Sequence, residues 1–338
     1  MNNYEFRSIT IDDLPVMAEL LIGRQNLETK EYPFLNNSCL NVNYVMGTLE
    51  KLIVNIKVIG IGAFVNDELV GYIMGEIIIS NRVGRYAAVP YEGIAIKTDQ
   101  SSELIRYLYA KVSVLWLEQG CFNHSIYVPI ANQVYYEGFL QLSFSIEQVH
   151  AVMNIEEYIP FENVADVDIR LANKMDSEVL GKMSSIITKF QNTAPIFIPV
   201  LPEVLAKIKE GFKRLVDDDD DVIALLIAEE ADKELGFQLY EMITSNLMTP
   251  DDGIELSVAG TYYSQMRRGI GKKLMNEGCK IIKEKGYSYI KADWRITNLA
   301  SSTFWPKCGF RPVVYRMERY IDRNYAWANS NNPSIKQL

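Results

Sequence analysis

A chain of 338 residues, 48% hydrophobic and 23% charged, has the composition of a globular protein and the length for about two domains, each with its own core. Its formal net charge of −9 speaks against general nucleic-acid binding, which needs a basic surface, and is compatible with a cationic substrate. No apolar run approaches the roughly 20 residues that span a bilayer, and Met1-Asn2-Asn3-Tyr4 begins no basic-then-apolar leader, so no membrane contact is expected and the cytoplasm is the expected compartment.

The first half opens with a strand at about Tyr4 to Ile9 and an acidic helix start at Asp12-Asp13, where carboxylates favour the first turn. A loop-rich stretch with Pro33 follows. Gly62 to Ile79 alternates about Asn66-Asp67 and reads as a hairpin. A strand at Glu92 to Lys97, a helix at Ser102 to Glu118 and the segment Phe122 to Ser145 complete this half. Between Asn154 and Val167, Pro160 and several acidic residues mark a linker.

The second half repeats the order: a strand at Asp168 to Leu171, a helix from about Asp176, a proline-containing loop, and a helix at Glu203 to Leu215. Asp217 to Asp221 lack the Gly and Glu spacing of a calcium loop and read as a solvated turn. A hairpin over Ile223 to Met242 turns at Ala231-Asp232, and a strand at Ile254 to Thr261 follows. Next comes Met266-Arg267-Arg268-Gly269-Ile270-Gly271, directly before an amphipathic run to Lys285. Glycines there let the backbone approach a ligand at a helix N-terminus, where unsatisfied amides attract phosphate. A strand at Tyr287 to Asp293, a short helix after Asn298 and a strand at Val313 to Ile321 close the chain before a polar tail.

The two halves are similar in sequence. Gly120, Asn132, Ser143 and Phe144 recur as Gly286, Asn298, Gly309 and Phe310, each pair 166 residues apart. Asp67, Gly71 and Glu76 recur as Asp232, Gly236 and Glu241 at 165, and Arg7 as Arg170 at 163. A near-constant offset through strand, helix and loop indicates tandem duplication.

The pair Gly269-Ile270-Gly271 and Asn298-Leu-Ala-Ser301-Ser-Thr-Phe304-Trp305-Pro-Lys-Cys-Gly309-Phe310 resembles the acyl-CoA binding motifs of the GNAT (N-acetyltransferase) superfamily. The chain departs at Met266, where the family has Gln or Arg, at Ser301, where it has Ala, and at Trp305, where it has Tyr. The resemblance implies an α/β protein of two tandem GNAT-like domains. Each is a mostly antiparallel mixed sheet with helices on both faces, splayed between its fourth and fifth strands. The boundaries expected are 1–155, a linker at 156–166, 167–325 and a tail at 326–338. It also implies an acyltransferase that moves an acetyl group from acetyl-CoA to an amine in the second domain, with no metal. A monomer, pseudo-dimeric through its repeat, or a weak homodimer is expected.

By the same resemblance, the backbone from Met266 to Gly271 holds the diphosphate, with Arg267, Arg268 and Lys272 adding charge. The edge Ala259-Gly260-Thr261 pairs with the pantetheine amides. Asn298 and Ser301 orient ligand, and Phe304 and Trp305 wall the thioester end. Glu255, eleven residues before Met266, matches the family's base glutamate, and Glu241 on the neighbouring strand is the second choice. Trp305 donates an indole hydrogen bond but is no practical acid, whereas Tyr262, Tyr263 or Ser301 carry hydroxyls. In the first half Glu103 and Ile105 stand where Gly269 and Gly271 do, so that half is expected to have lost its cofactor site. Acceptor choice is expected from the loops Gly23 to Val45 and Lys189 to Pro202. The alternatives are a non-catalytic acyl-CoA binding protein, suggested by Met266 and Trp305, and an aminoacyl transferase on the same fold.

With His124 and His150 the only histidines, the second half can hold no Ser-His-Asp or Cys-His arrangement of its own. The four cysteines lie far apart without Cys-x-x-Cys spacing, so buried free thiols are expected.

Overall fold

The structure is a computed structural model in which residues 4–35, 37–80, 83–217, 221–243 and 246–328 are described. Asp218 to Asp220 of the acidic run, and the tail beyond 328, lie outside them.

The duplication is written into local geometry. Arg7 forks onto Asp13 with N–O distances of 3.0 and 2.8 Å, and Arg170 onto Asp176 at 2.8 and 2.8 Å. Each aspartate also accepts from the main-chain N–H three residues earlier, closing a capping box that starts the first helix of its half. Asn66-Asp67 and Ala231-Asp232 all have positive φ, the hairpin turn whose twist suits right-twisted strands. Asn132 and Asn298 both cap helices, accepting from Val134 N and Ser301 N at 3.1 and 3.0 Å.

The first half runs β1 (Glu5–Ser8), α1 (Leu14–Glu31), α2 (Val42–Ile53), β2 (Val58–Val65), β3 (Glu68–Ser80), β4 (Gly84–Val89), β5 (Ile94–Ile96), α3 (Ser102–Glu118), β6 (Asn123–Pro129), α4 (Gln133–Gln141) and β7 (Ser145–Asn154). The second runs β8 (Asp168–Leu171), α5 (Ser177–Gln191), α6 (Pro202–Arg214), β9 (Val222–Glu230), β10 (Lys233–Met242), β11 (Gly253–Thr261), α7 (Ile270–Glu284), β12 (Tyr289–Arg295), α8 (Leu299–Lys307), β13 (Arg311–Tyr320) and α9 (Tyr325–Ala328).

Strand β4 and helix α9 were not expected, and two further stretches differ from the sequence reading. Helix α2 occupies part of the stretch taken as loop: Asn41 caps it through Tyr44 N, and Val45, Leu49 and Leu52 bury one face. The strand expected at Glu92 to Lys97 is broken. Pro90 offers no N–H and the chain turns through Tyr91–Gly93, so only Ile94–Ile96 is extended, on β3, while β4 pairs with β6.

Contacts divide the chain into two compact units, 1–148 with 246–248 and 313–338, and 149–245 with 249–312. Residues Val149 to Asn154, expected in the first domain, belong to the second unit, and the strand from Val313, expected in the second, belongs to the first. The sheet of the first unit is ordered β1-β2-β3-β4-β6-β13, with β13 antiparallel to β6. That of the second is β7-β12-β11-β10-β9-β8. Strand β4 runs parallel to β6 and β11 to β12, whereas β1–β2, β2–β3, β3–β4, β3–β5, β6–β13, β8–β9, β9–β10 and β10–β11 are antiparallel, giving the mixed sheet expected.

In the first unit Leu104, Leu108, Val112 and Trp116 of α3 pack on Ile73, Val89 and Ile126 of the sheet and on Phe139 and Phe144. In the second, Leu180, Met183 and Ile186 of α5 cover Phe237 and Leu239 on one face. Helix α7 covers the other. Gly278 there admits the Tyr240 ring, since a Cβ at 278 would lie 2.1 Å from its oxygen.

Candidate active site

Strands β11 and β12 run parallel in register only from Gly253–Tyr289 to Leu256–Ala292, while β11 continues to Thr261 and β12 to Arg295. They part where the splay was expected. On its other side β11 stays paired, with Gln238, Phe237 and Gly236 opposite Ala259, Gly260 and Thr261. The cleft-side amide edge of 257–261 is therefore the one outside the register with β12.

A one-residue bulge re-phases β11 just before the splay: Leu239 pairs with Val258 but Tyr240 with Leu256. Tyr240 faces α7, so Glu241 and its cross-strand partner Glu255 face the side on which α5 covers Leu239 and Val258. Glu255 in turn stands beside Lys291, whose Nζ donates to Oε1 at 2.7 Å. Lys291 is 8% exposed. The structure thus brings both glutamates chosen from sequence into one row across three strands and adds a buried ammonium that sequence reading missed. Two like charges directly opposite would repel, and Lys291 offsets this.

After β11 the chain passes a turn at Tyr263–Gln265 and enters α7 through Arg267 (φ 66°) and Gly269 (φ 90°). No side chain caps the helix. Gly271 has room: a Cβ there would sit 3.5 Å from the Phe304 ring of α8. Gly269 differs from expectation, because its open side faces the chain itself, with Ala165 N 3.0 Å from a Cβ. Arg268 is engaged elsewhere, donating to Glu230 at 2.7 Å and Gln265 at 2.6 Å. Lys272 Nζ lies 5.2 Å from the centroid of the Phe161 ring.

Asn298 spends its carbonyl on the cap of α8. Trp305 is 8% exposed, edge-on to Phe304 (4.9 Å between centroids) and Phe310 (5.5 Å). Tyr263 is 80% exposed and Tyr262 packs against the α5 core. All four cysteines are buried free thiols, and burial pushes Cys308 up to about 12, which keeps it protonated at neutral pH.

The matching place in the first unit is filled by its own side chains. Ile105, the counterpart of Gly271, is fully buried against Gly138, the counterpart of Phe304, at 3.1 Å from a Cβ built there. The large and small residues have changed places, and the gap between α3 and α4 is closed. Tyr135 Oη accepts the Ile96 N–H of β5 at 2.9 Å. Beneath it Arg24 pairs with Glu28 at 2.9 Å and donates to the carbonyls of Tyr91 and Ile94 at 2.7 and 2.6 Å, and Tyr91 donates to Glu28.

Burial pushes the Glu28 carboxyl up to about 7 against the pull of Arg24. A carboxyl that holds its proton more tightly when folded contributes stability below about pH 4.5 that is lost as the pH rises through 7. The stability difference between Glu28→Gln and the parent should therefore shift in favour of the variant by up to about 3 kcal/mol from pH 4.5 to 8. Denaturant titrations at several pH values measure this, and a flat difference refutes it. His124, buried and pushed down to about 4, acts with the opposite sign and cancels because both proteins carry it.

No protein-family model matches the sequence, and no curated protein is similar to it in sequence. Solved structures are similar in fold. A GCN5-related N-acetyltransferase from Sphaerobacter thermophilus aligns with a TM-score of 0.61 at 12% identity, over 95% of this chain and 96% of that one. A tandem GNAT protein from the clavulanic acid biosynthesis pathway aligns at 0.53 and 11%, over 94% and 98%. A fungal GCN5-related glucosamine N-acetyltransferase region, within a multi-domain β-N-acetylglucosaminidase, aligns at 0.54 and 11%, over 94% of this chain and 38% of that one. The chain has the GNAT fold. It has that fold twice, in tandem.

Proposed function

We propose that the protein is an acyltransferase that passes an acetyl group from acetyl-CoA directly to an amine, with the chemistry in the second unit. The observation that carries this reading is the splay of β11 from β12 beside an uncapped α7, with Glu241, Glu255 and Lys291 in one row at its root. Direct transfer needs alignment, oxyanion donors and removal of the amine proton, and no protein nucleophile. Amides of Ala259 to Thr261 pair with pantetheine. The backbone from Met266 to Gly271, with Arg267 and Lys272, receives the diphosphate, and Arg268 joins only by leaving Glu230. Ser301, Asn298 and Phe304 line the α8 side.

A lysine-like amine of pKa about 10.4 costs roughly 4.6 kcal/mol to deprotonate at pH 7, so a base matters most. Glu255 has that role here, with Lys291 holding one carboxylate oxygen and so orienting the other; Glu241 stands next to it. A leaving thiol of pKa about 8.5 costs only about 2 kcal/mol, so no acid is essential. Trp305 acts as a wall. Trp305→Tyr should accordingly keep turnover, any gain being limited to those 2 kcal/mol. Loss of turnover in a folded variant would give Trp305 a direct role.

The test of the reading is acetyl-CoA consumption with small amines, polyamines, aminoglycosides, amino acids and peptides. Consumption that depends on an amine supports it. Tight acetyl-CoA binding without turnover would favour a binding protein, and dependence on an aminoacyl-tRNA would favour aminoacyl transfer.

A further inference from the structure

The segment between β7 and β8 lies along α7 and holds the groups that the proposed cofactor site requires. Phe161 is fixed at both backbone atoms by one side chain: its N–H donates to Asn276 Oδ1 at 2.9 Å, and Asn276 Nδ2 donates to its carbonyl at 2.9 Å. Tyr158 Oη donates to the same Oδ1 at 2.6 Å. So anchored, the Phe161 ring lies nearly parallel to Phe304, 15° between planes and 6.3 Å between centroids, under the Lys272 ammonium. Further on, the backbone of Val164 and Ala165 packs on Gly269, the first glycine of the phosphate loop.

Charge points the same way. From 156 to 166 the segment carries Glu156, Glu157, Glu162 and Asp166 and no Lys or Arg, whereas α7 carries Lys272, Lys273, Lys280 and Lys283 against Glu277 and Glu284, with Lys273 paired to Glu277 at 3.2 Å. Glu156 already pairs with Lys283 at 2.8 Å. The segment brings to α7 the same sign of charge as a diphosphate, and a flat ring to the same aromatic wall.

We infer that residues 156–166 form an autoinhibitory strap: the strap and the nucleotide end of acyl-CoA compete for Lys272, Phe304 and the Gly269 loop, and Asn276 is the latch. The inference rests on the acyl-CoA reading of this site. Asn276 lies outside the catalytic row and the phosphate loop, so its loss weakens only the strap.

Two measurements test it. In calorimetric titration Asn276→Ala should bind acetyl-CoA at least about ten-fold more tightly than the parent, since the three hydrogen bonds that hold the strap are lost with the side chain. In the parent protein, saturating acetyl-CoA should raise hydrogen–deuterium exchange over 158–165, because the Phe161 amide leaves Asn276. Equal or weaker binding by a folded Asn276→Ala, or slower exchange on acetyl-CoA addition, would overturn the strap while leaving the cofactor reading intact. Absence of acetyl-CoA binding by both proteins would sink the cofactor reading, and the strap with it.

Discussion

Replacing Glu255 by Gln should lower kcat/KM by about 10² to 10⁴ and leave acetyl-CoA affinity nearly unchanged, the signature of a lost general base. The carboxylate lies at the root of the splay, on the face shared with Glu241 and the α5 side of the sheet. Gln keeps the shape and an acceptor for Lys291, so the row stays hydrogen-bonded, but it cannot take the amine proton. Losing the anion leaves Lys291, 8% exposed, without its charge partner, and thermal unfolding must be measured beside the kinetics. A folded variant with parental rates from pH 6 to 9 would remove Glu255 as base. Glu241→Gln would then be examined, because the two are direct cross-strand neighbours.

Each chain should bind one acetyl-CoA, in the second unit, although the fold is present twice. Gly271→Glu should weaken binding at least 100-fold: the side chain enters the gap toward Phe304, where space exists, and sets a carboxylate against the diphosphate, a clash worth several kcal/mol. Position 271 tests the phosphate site more cleanly than 269, where φ of 90° and the Ala165 backbone would make any side chain a folding defect. Glu103→Gly should neither raise nor lower the stoichiometry, because Ile105 against Gly138 and Tyr135 on the Ile96 amide still fill the first unit. Calorimetric titration decides: two equivalents bound by the parent protein, or full affinity in Gly271→Glu, would place a working site in the first unit.

Most of the elements were legible because the repeat supplied each signal twice. The capping aspartates, the paired turns at Asn66-Asp67 and Ala231-Asp232 and the helix-capping asparagines are local, and local patterns are readable in a sequence. Helix α2 was obscured by the asparagines before it, one of which is its cap. Strand β4, to which no element was assigned, begins at Gly84 and stops just before Pro90, residue types that break a strand pattern. In the site, Glu255 and Glu241 stood out by position. Lys291 did not, since a lysine in a strand looks like a solvated edge until its neighbour across the register is known. The bulge that turns Glu255 to the α5 side depends on pairing with β10, and the contact of Phe161 with Phe304 joins residues 143 positions apart. Such long-range pairings leave no periodic trace.

The placement of β13 beside β6 has a consequence for how the protein is made. A ribosome finishes every other part of the first unit's sheet before it begins the second repeat, and the strand that covers β6 is among the last segments to emerge. At about 5–20 residues per second, the stretch from Ser145 to Tyr320 takes roughly 10 to 40 seconds to synthesise. For that interval the strand that pairs with β6 in the folded protein does not yet exist, and an edge without its partner is a template for other strands. Helix α4 and the Phe139–Phe144 cluster can form meanwhile, but the sheet waits. Removing either half would strip a strand from the other, so the first repeat, although its α3–α4 gap is closed, still supplies β7 to the sheet of the second unit.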